Sequence, residues 1–383
     1  NAMIPYGKHS LFPEDIEAVT KVLQEGFLTQ GEQTPLFEKA VSNYTGTRYG
    51  VACNSGTSGL HIACLAAGVS RGDLVWTVPN SFAASANCAR YCGADVDFVD
   101  IDPFTRNLSI SALEDKLKIA FKNRRLPKLI IVVHFAGSSC DMAAIAKLTN
   151  PLGIVLIEDA AHALGGKDSK GNKVGACTYS LMSVLSFHPV KSITSAEGGM
   201  VVTNDEKIAT LLRRYRSHGI SRDPSLFEDA HSDEPWFYAQ YELGFNYRLS
   251  DIHAALGLSQ LNRLDEFVSL RRGLAQRYDE LLASLPLKQP VYDENSAWHL
   301  YMIEVPEHDR KQVFNQMRER GVGVNVHYIP IHLHPYYRNL GFKVGQFPNA
   351  EQYYNHALTL PLYPSLTREE QNVVVSQLEE ILL

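Results

Sequence analysis

Short apolar runs alternate with longer amphipathic stretches between residues 74 and 202, and this alternation limits the fold more than any other feature of the chain. The runs are rich in β-branched residues and have the length of strands, whereas the stretches have apolar residues at helical spacing. Strand, helix and strand in succession are typical of a mostly parallel sheet covered on both faces. The pattern predicts strands at 74–78, 96–99, 129–133, 154–157, 181–185 and 199–202, with helices at 81–92, 111–122 and 142–149.

The remainder of the chain predicts a second, smaller lobe. A polar, acidic stretch at 221–235 predicts a surface loop, and a long helical pattern runs from Ser250 to about residue 285. The chain has 383 residues, which is long enough for more than one core. We therefore expect an α/β fold, with a large, mostly parallel sheet domain at 1–265 and a small α+β domain at 266–383. In the second lobe we expect strands at 298–305 and 322–326 and helices at 309–320 and 368–383.

Composition excludes several classes of function. The formal charge of −6 offers no basic surface for nucleic acid or for an acidic membrane. The six cysteines suggest buried thiols in a reducing compartment, and neither a disulfide framework nor a zinc site. The chain shows no basic-plus-apolar leader and no apolar run long enough to cross a bilayer, so we expect a cytoplasmic protein.

Lys191 and Asp159 are the strongest candidates for catalytic residues. Asp159 ends an apolar run, so its carboxylate is expected at the carboxyl end of a parallel strand, where open α/β sheets bind ligands. Lys191 lies on a loop shortly after the next strand, where an amine can capture a carbonyl cofactor as a Schiff base. Taken singly, Lys191 is more typical of a surface lysine and Asp159 of an acid at the end of a strand. A carboxylate for a pyridine nitrogen together with an amine for an aldehyde predicts pyridoxal 5′-phosphate (PLP).

A phosphate site is predicted independently at the start of a helix. The residues Gly56, Thr57 and Ser58 precede a good helical run, and free backbone N–H groups at such a start attract an anion. A simple capped turn is the alternative. Ser186 lies five positions before Lys191 and is a further candidate ligand for the same phosphate.

Two more residues are candidates for contacts with the cofactor ring. His162, shortly after Asp159, is a candidate for the ring hydroxyl, although a lone histidine is more often structural. Phe82, after the expected strand at 74–78, is a candidate to stack on the ring, and a place in the core is an equally good interpretation.

Taken together, these segments resemble the DegT/DnrJ/EryC1/StrS family of sugar aminotransferases, which have the fold type I architecture of aspartate aminotransferase. The matching stretches are 54–60, 79–84, 158–163, 186–199 and 243–250, in the order and spacing of the family. The resemblance implies the Schiff base on Lys191, the pyridine contact of Asp159, phosphate contacts from Thr57, Ser58 and Ser186, and a place for His162 near the ring hydroxyl. It also implies that Asn246 reaches the phosphate of a neighbouring subunit, so that a homodimer shares its active sites.

The stretch 324–337 is rich in histidine and tyrosine and is expected to form a wall of the substrate pocket. A metal site is not expected there, because no acid or cysteine lies in the run and its prolines disrupt helical spacing. Within the family this stretch is similar to that of enzymes which make the 4-amino sugar precursor of pseudaminic acid. The candidate substrate-binding residues are His327, Tyr328, His332 and Tyr336.

The expected activity is ping-pong transamination. The resemblance implies that an amino acid, L-glutamate, converts PLP to pyridoxamine 5′-phosphate, which then aminates C4 of a UDP-linked 4-keto-6-deoxy-N-acetylhexosamine. Some relatives replace the lysine by histidine and dehydrate sugars, and Lys191 argues against that reaction. Two alternatives stay open. One is another PLP-dependent reaction, such as 3-amination or dehydration of a nucleotide sugar or the use of dTDP- or GDP-linked sugars, and the other is a PLP-binding regulator without turnover.

Overall fold

A seven-stranded sheet forms the centre of the computed structural model, which describes residues 2–383. The strand order is β1-β7-β6-β5-β4-β2-β3, and only β7 runs against the others. The expected large, mostly parallel sheet is therefore confirmed. Its strands are β1 (Tyr49–Cys53), β2 (Leu74–Thr77), β3 (Asp95–Phe98), β4 (Leu129–Val133), β5 (Val155–Asp159), β6 (Met182–Ser186) and β7 (Gly199–Thr203).

The apolar runs are central strands because both of their faces are covered. Every residue of β4 and of β7 is buried, as expected for strands with helices on both sides. The register places Val133 beside Asp159, and Asp159 beside Val184. The carboxyl ends of β4, β5 and β6 consequently meet at one edge of the sheet.

Eight helices precede or surround this sheet. Several begin with a serine or aspartate whose side-chain oxygen accepts a backbone N–H of the first turn, as Ser55, Ser109, Asp141 and Asp205 do. The helices are α1 (Pro13–Glu25), α2 (Gln33–Thr45), α3 (Gly56–Ala66), α4 (Ala84–Tyr91), α5 (Ile110–Lys122), α6 (Met142–Thr149), α7 (Glu206–Arg216) and α8 (Asp251–Leu261).

A smaller lobe follows, with its own apolar core. An antiparallel pair of strands, β10 and β11, packs with helices from the end of the chain. The elements are α9 (Leu264–Leu282), β10 (Tyr301–Glu304), α10 (Arg310–Glu319), α11 (Pro335–Arg338), α12 (Pro348–His356), β11 (Ala357–Leu360) and α13 (Arg368–Leu382). The division near residue 265 remains a prediction, although α9 begins close to it.

The first residues of the chain join the smaller lobe. The Ile4 N–H donates to the Gly321 carbonyl at 2.9 Å, and the Leu362 N–H donates to the Tyr6 carbonyl at 3.0 Å. Residues that precede the first helix are thus hydrogen-bonded to residues more than 300 positions away.

Two sequence predictions for the second half of the chain are wrong. The expected helix from Ser250 to about 285 is two helices, because Asn262 and Arg263 make hydrogen bonds to the third residue back and Arg263 leaves the helical region (φ −106°, ψ 3°). The expected strand at 322–326 has no continuous ladder. Val322 pairs only with Ile4, and Asn325 only with Thr359.

The stretch predicted as a surface loop, 221–235, contains two short 3-10 turns and follows a two-residue strand, β8 (Ile220–Ser221). β8 pairs with β9 (Ala239–Gln240), and the two strands frame the loop.

No helix among residues 2–383 is long and apolar enough to cross a membrane. The six cysteines are free thiols, and all of them except Cys92 are buried.

Candidate active site

A cleft of about 400 Å³ lies at the sheet edge where β4, β5 and β6 end. We call it the cofactor cleft. Lys191, on the loop after β6, and Asp159, the last residue of β5, both line it. The structure therefore brings together the two residues that the sequence singled out for the chemistry.

Lys191 is held where its amine can lose a proton near neutral pH. Burial lowers the pKa of the Lys191 ammonium from its ordinary value to about 8, and the negative charge of Asp159 limits the shift. An amine with this pKa is partly neutral under physiological conditions, so it can act as a nucleophile or accept a proton.

The carboxylate of Asp159 is held by a pair of serines at the start of α4. The Ser85 hydroxyl donates to Asp159 Oδ2 at 2.6 Å, and Ser85 Oγ lies 2.7 Å from Ser81 Oγ. Because a carboxylate only accepts, the single hydroxyl hydrogen of Ser85 is committed to Asp159, so Ser81 must donate to Ser85. All three side chains are almost fully buried.

The start of α3 offers an anion site within the same cleft. The N–H groups of Gly56 and Thr57, the first two helical residues, have no acceptor among residues 2–383. Both residues line the cleft, as Ser186 does. Ser58 lies differently: its buried hydroxyl donates to Asn54 Oδ1 at 2.5 Å and contacts the capping residue Ser55. The Ser58 hydroxyl thus stabilises the turn before α3, and Ser58 does not line the cleft.

His162 lies in the cleft and is a neutral ring with a fixed tautomer. Burial lowers its pKa well below the usual value, and the positive charge of Lys191 acts in the same direction. The Ala136 N–H donates to His162 Nδ1 at 3.1 Å, so the ring hydrogen sits on Nε2. Nε2 lies 2.8 Å from the Tyr328 hydroxyl oxygen and therefore donates to it. This contact leaves the hydrogen of Tyr328 free to point into the cleft.

The other wall of the cleft is formed by the C-terminal lobe. Tyr328 and His327 both line the cleft, and burial raises the pKa of the Tyr328 phenol, which remains a neutral donor. His327 Nδ1 lies 2.8 Å from Thr359 Oγ1, and burial lowers the pKa of His327 to about 3. Two of the predicted substrate residues are thus at the cleft, on the side opposite the sheet.

A second cavity of about 560 Å³ continues outward from the cofactor cleft, and we call it the outer cavity. Ser81, Phe82 and Tyr328 line both spaces. Phe82 is 63% exposed, so its ring stands at the junction and is not part of the core. Tyr336 lines the outer cavity.

Apart from Ser58, two predicted residues line neither the cofactor cleft nor the outer cavity of their own chain. The prediction that His332 contacts substrate is not supported by its position: its ring is fully buried, and Nε2 lies 3.1 Å from Glu351 Oε2. That carboxylate also accepts N–H groups from Gly345 and Phe347, so His332 helps to order a turn. Asn246 is an exposed residue beyond the cleft, bridged to Ser217.

The cleft also contains residues that sequence reasoning missed. His299 lies in it with its ring 4.4 Å from that of His162, and its buried Nδ1 has no partner among residues 2–383. Tyr6 lines the cleft near His327, with ring centroids 5.4 Å apart. Ser85 had no distinguishing pattern in the sequence. Only its spacing of four from Ser81, one helical turn, could have suggested the pair.

These residues fit PLP. A reactive amine, a buried carboxylate and a pair of unpartnered N–H groups at a helix start surround one cleft. They match an aldehyde, a pyridine nitrogen and a phosphate respectively.

A family model described as the DegT/DnrJ/EryC1/StrS aminotransferase family matches residues 10–379. The chain belongs to this family. It is therefore a sugar aminotransferase that uses PLP. The spore coat polysaccharide biosynthesis protein SpsC of Bacillus subtilis is 35% identical over 392 residues, which cover 100% of this chain and 97% of SpsC.

Solved structures agree with this assignment. Helicobacter pylori PseC, an aminotransferase involved in the biosynthesis of pseudaminic acid, is 31% identical, with a TM-score of 0.89 and 99% of each chain covered. The putative sugar aminotransferase Spr1654 of Streptococcus pneumoniae, in its pyridoxamine-phosphate form, is 27% identical with a TM-score of 0.89. That match covers 99% of this chain and 100% of Spr1654. The predicted family, fold, enzyme class and cofactor are confirmed.

Proposed function

We propose that the protein transfers the amino group of L-glutamate to C4 of a UDP-linked 4-keto-6-deoxy-N-acetylhexosamine, in the biosynthesis of pseudaminic acid or a related surface sugar. The likeness to PseC over the whole chain carries the choice of sugar. The outer cavity, which joins the cofactor cleft, supports a substrate with a large non-reacting portion.

Different residues of the chain have separate roles in such a reaction. PLP, when bound, accepts the electrons released at the substrate carbon. Asp159 would keep a proton on the pyridine nitrogen, and the N–H groups of Gly56 and Thr57, with Ser186, would hold the phosphate. Lys191 would anchor the cofactor covalently through its aldehyde. As a free amine, its Nζ would carry the proton between the amino acid Cα and the cofactor, a role that its lowered pKa of about 8 suits.

Substrate contacts are assigned to the C-terminal lobe, and a further cofactor contact is assigned to a second subunit. Tyr328 presents a free hydroxyl hydrogen toward the cleft, because its oxygen already accepts from His162. Asn246 is exposed and lies outside the cleft of its own chain, as does Leu243, which is 80% exposed. We propose that this segment meets the partner in a homodimer and that Asn246 reaches the partner's phosphate site.

The test is turnover with a panel of UDP-, dTDP- and GDP-linked 4-keto sugars, together with a UDP-linked 3-keto sugar, in the presence of L-glutamate. Release of 2-oxoglutarate and a product mass that corresponds to a UDP-linked 4-amino sugar are expected. Amination of only 3-keto, dTDP- or GDP-linked sugars would favour the alternative transaminase, and bound PLP without turnover would favour the regulator.

Lys191→Ala should abolish turnover, because the variant lacks both the anchor and the proton carrier. Lys170→Ala removes an exposed lysine outside the cleft and is the matched control, with unchanged turnover expected. Borohydride reduction followed by peptide mapping should place the cofactor on the peptide that contains Lys191. Label on another lysine would contradict the assignment.

A further inference from the structure

The outer cavity has a wall of hydrogen-bond donors on α4. Its lining includes aromatic rings and one arginine, Arg90, and no acidic residue. The cavity opens from the cofactor cleft past Phe82, so a substrate whose ketone lies near Lys191 extends its remaining portion into this space.

Arg90 is fixed in the cavity and retains unused donor capacity. Its Nε donates to the Tyr336 hydroxyl oxygen at 3.0 Å, and its Nη1 donates to the Ala94 carbonyl at 3.0 Å. Asp95 lies 3.8 Å from Nη1, beyond hydrogen-bond distance. Among residues 2–383, Nη2 has no acceptor, and the side chain is 24% exposed. Because Tyr336 uses its oxygen to accept from Arg90, its own hydrogen is also free.

Asn87 lies one helical turn before Arg90, on the same face of α4. Its Oδ1 accepts from the hydroxyl of the buried Tyr337 at 2.6 Å. The amide group therefore turns its Nδ2 hydrogens away from Tyr337, and they have no acceptor among the described residues. Asn87 and Tyr336 present donors because their oxygens already accept hydrogen bonds, and Arg90 has only donors.

We propose that Asn87, Arg90 and Tyr336 form an anion-binding subsite for the diphosphate that links the sugar to its nucleoside. A cation held in a fixed orientation with several N–H and O–H donors matches a group with many charged oxygens. The aromatic rings beside it match a nucleobase or sugar face. A neutral monosaccharide would give the free donors of Arg90 Nη2, Asn87 Nδ2 and the Tyr336 hydroxyl no charged acceptor. The subsite rests on the proposed function, because it assumes a nucleotide-linked sugar.

Calorimetric titration of the PLP-loaded enzyme with UDP and with uridine tests the subsite. Arg90→Met removes the cation, whereas Asn87→Asp keeps the oxygen that pairs with Tyr337 and replaces the donor with a second carboxylate oxygen. We expect each variant to bind UDP roughly 10- to 100-fold more weakly than the wild type. Uridine affinity should change little. Arg318→Met, which removes an exposed arginine on α10, is the control and should bind UDP as the wild type does.

Two further measurements separate the subsite from the fold and from the proposed function. The rate at which L-glutamate converts the bound cofactor should be unchanged in Arg90→Met and Asn87→Asp, whereas KM for the UDP-sugar rises. Wild-type UDP affinity in both variants, with normal turnover of the wild type on a UDP-linked 4-keto sugar, would overturn the subsite alone. Lack of turnover on every nucleotide-linked 4-keto sugar would count against the proposed function.

Discussion

Removal of the Ser85 hydroxyl should weaken the binding of PLP although it removes no atom of Asp159, the residue assigned to the pyridine nitrogen. Ser85 donates to Asp159 Oδ2 at 2.6 Å and is 1% exposed, so in Ser85→Ala water has little access to replace the lost bond. Hydrogen bonds to a charged group contribute about 1.5–3 kcal/mol. If that contribution is needed to hold Asp159 against the pyridine nitrogen, PLP affinity should fall roughly 10- to 150-fold.

The assay is titration of the apoprotein with PLP, read by the absorbance of the bound cofactor, together with urea unfolding of the apoprotein. Ser183→Ala is the matched control. It removes a fully buried serine hydroxyl that donates to Glu158 Oε2 at 3.0 Å, one residue before Asp159. Neighbouring residues of a strand face opposite sides of the sheet, and Glu158 pairs with His134 outside the cleft.

Both variants should lose stability, but only Ser85→Ala should lose affinity for PLP. Ser81→Ala, which retains the direct bond to Asp159, should show a smaller loss of affinity. Equal PLP affinity in Ser85→Ala and Ser183→Ala would refute the reasoning and leave Ser85 as a purely structural residue.

Two other predictions concern pH and stability. The rate of PLP capture should rise with pH through about 8, because only the neutral amine of Lys191 attacks the aldehyde and its pKa is lowered to about 8; a flat profile between pH 6.5 and 9.5 would contradict this. Since the folded pKa lies below the unfolded one, the unfolded state binds more protons between pH 8 and 10.5. Deprotonation of Lys191 should therefore make the apoprotein more stable as the pH rises across that window. Lys191→Met should lack this contribution, which is measured as the pH dependence of Tm in the two proteins. Glu304→Leu should cost about 3–5 kcal/mol in urea unfolding, because it leaves the buried Arg106, whose Nη2 lies 2.6 Å from Glu304 Oε2, without its partner. The double variant Arg106→Met/Glu304→Leu should recover much of that loss, and no recovery would argue against an uncompensated charge.

The sequence was most informative where local pattern and burial coincide. The strand at 129–133 was predicted with its observed bounds, since five consecutive apolar residues are buried on both faces of the sheet. Asp159 and Lys191 were expected at neighbouring strand ends, and the register of β5 and β6 brings them to one cleft. Strand β1 was not predicted. It lies at the sheet edge and pairs with β7 across about 150 residues, which no local pattern reveals.

The residues that sequence reasoning missed or misplaced depend on contacts between distant segments. His299 reaches the cleft because its N–H donates to the Ala136 carbonyl after β4, a contact across more than 160 positions. His332 lies in a stretch without helical or strand periodicity, so its orientation toward Glu351 had no counterpart in the pattern. The residue type alone suggested that His332 contacts substrate, whereas tertiary packing turns its ring toward Glu351.

The attachment of the first residues to the smaller lobe has a consequence for biosynthesis. Tyr6 emerges from the ribosome about 350 residues before Leu362, whose N–H donates to the Tyr6 carbonyl. At about 5–20 residues per second, the two are separated by roughly 20 to 70 s of translation. A nascent chain can assemble its central sheet during that interval. Tyr6, however, has no hydrogen-bond partner at Leu362 until the C-terminal lobe has been synthesised. The cleft is thus completed only after the segments that form the central sheet have all been synthesised.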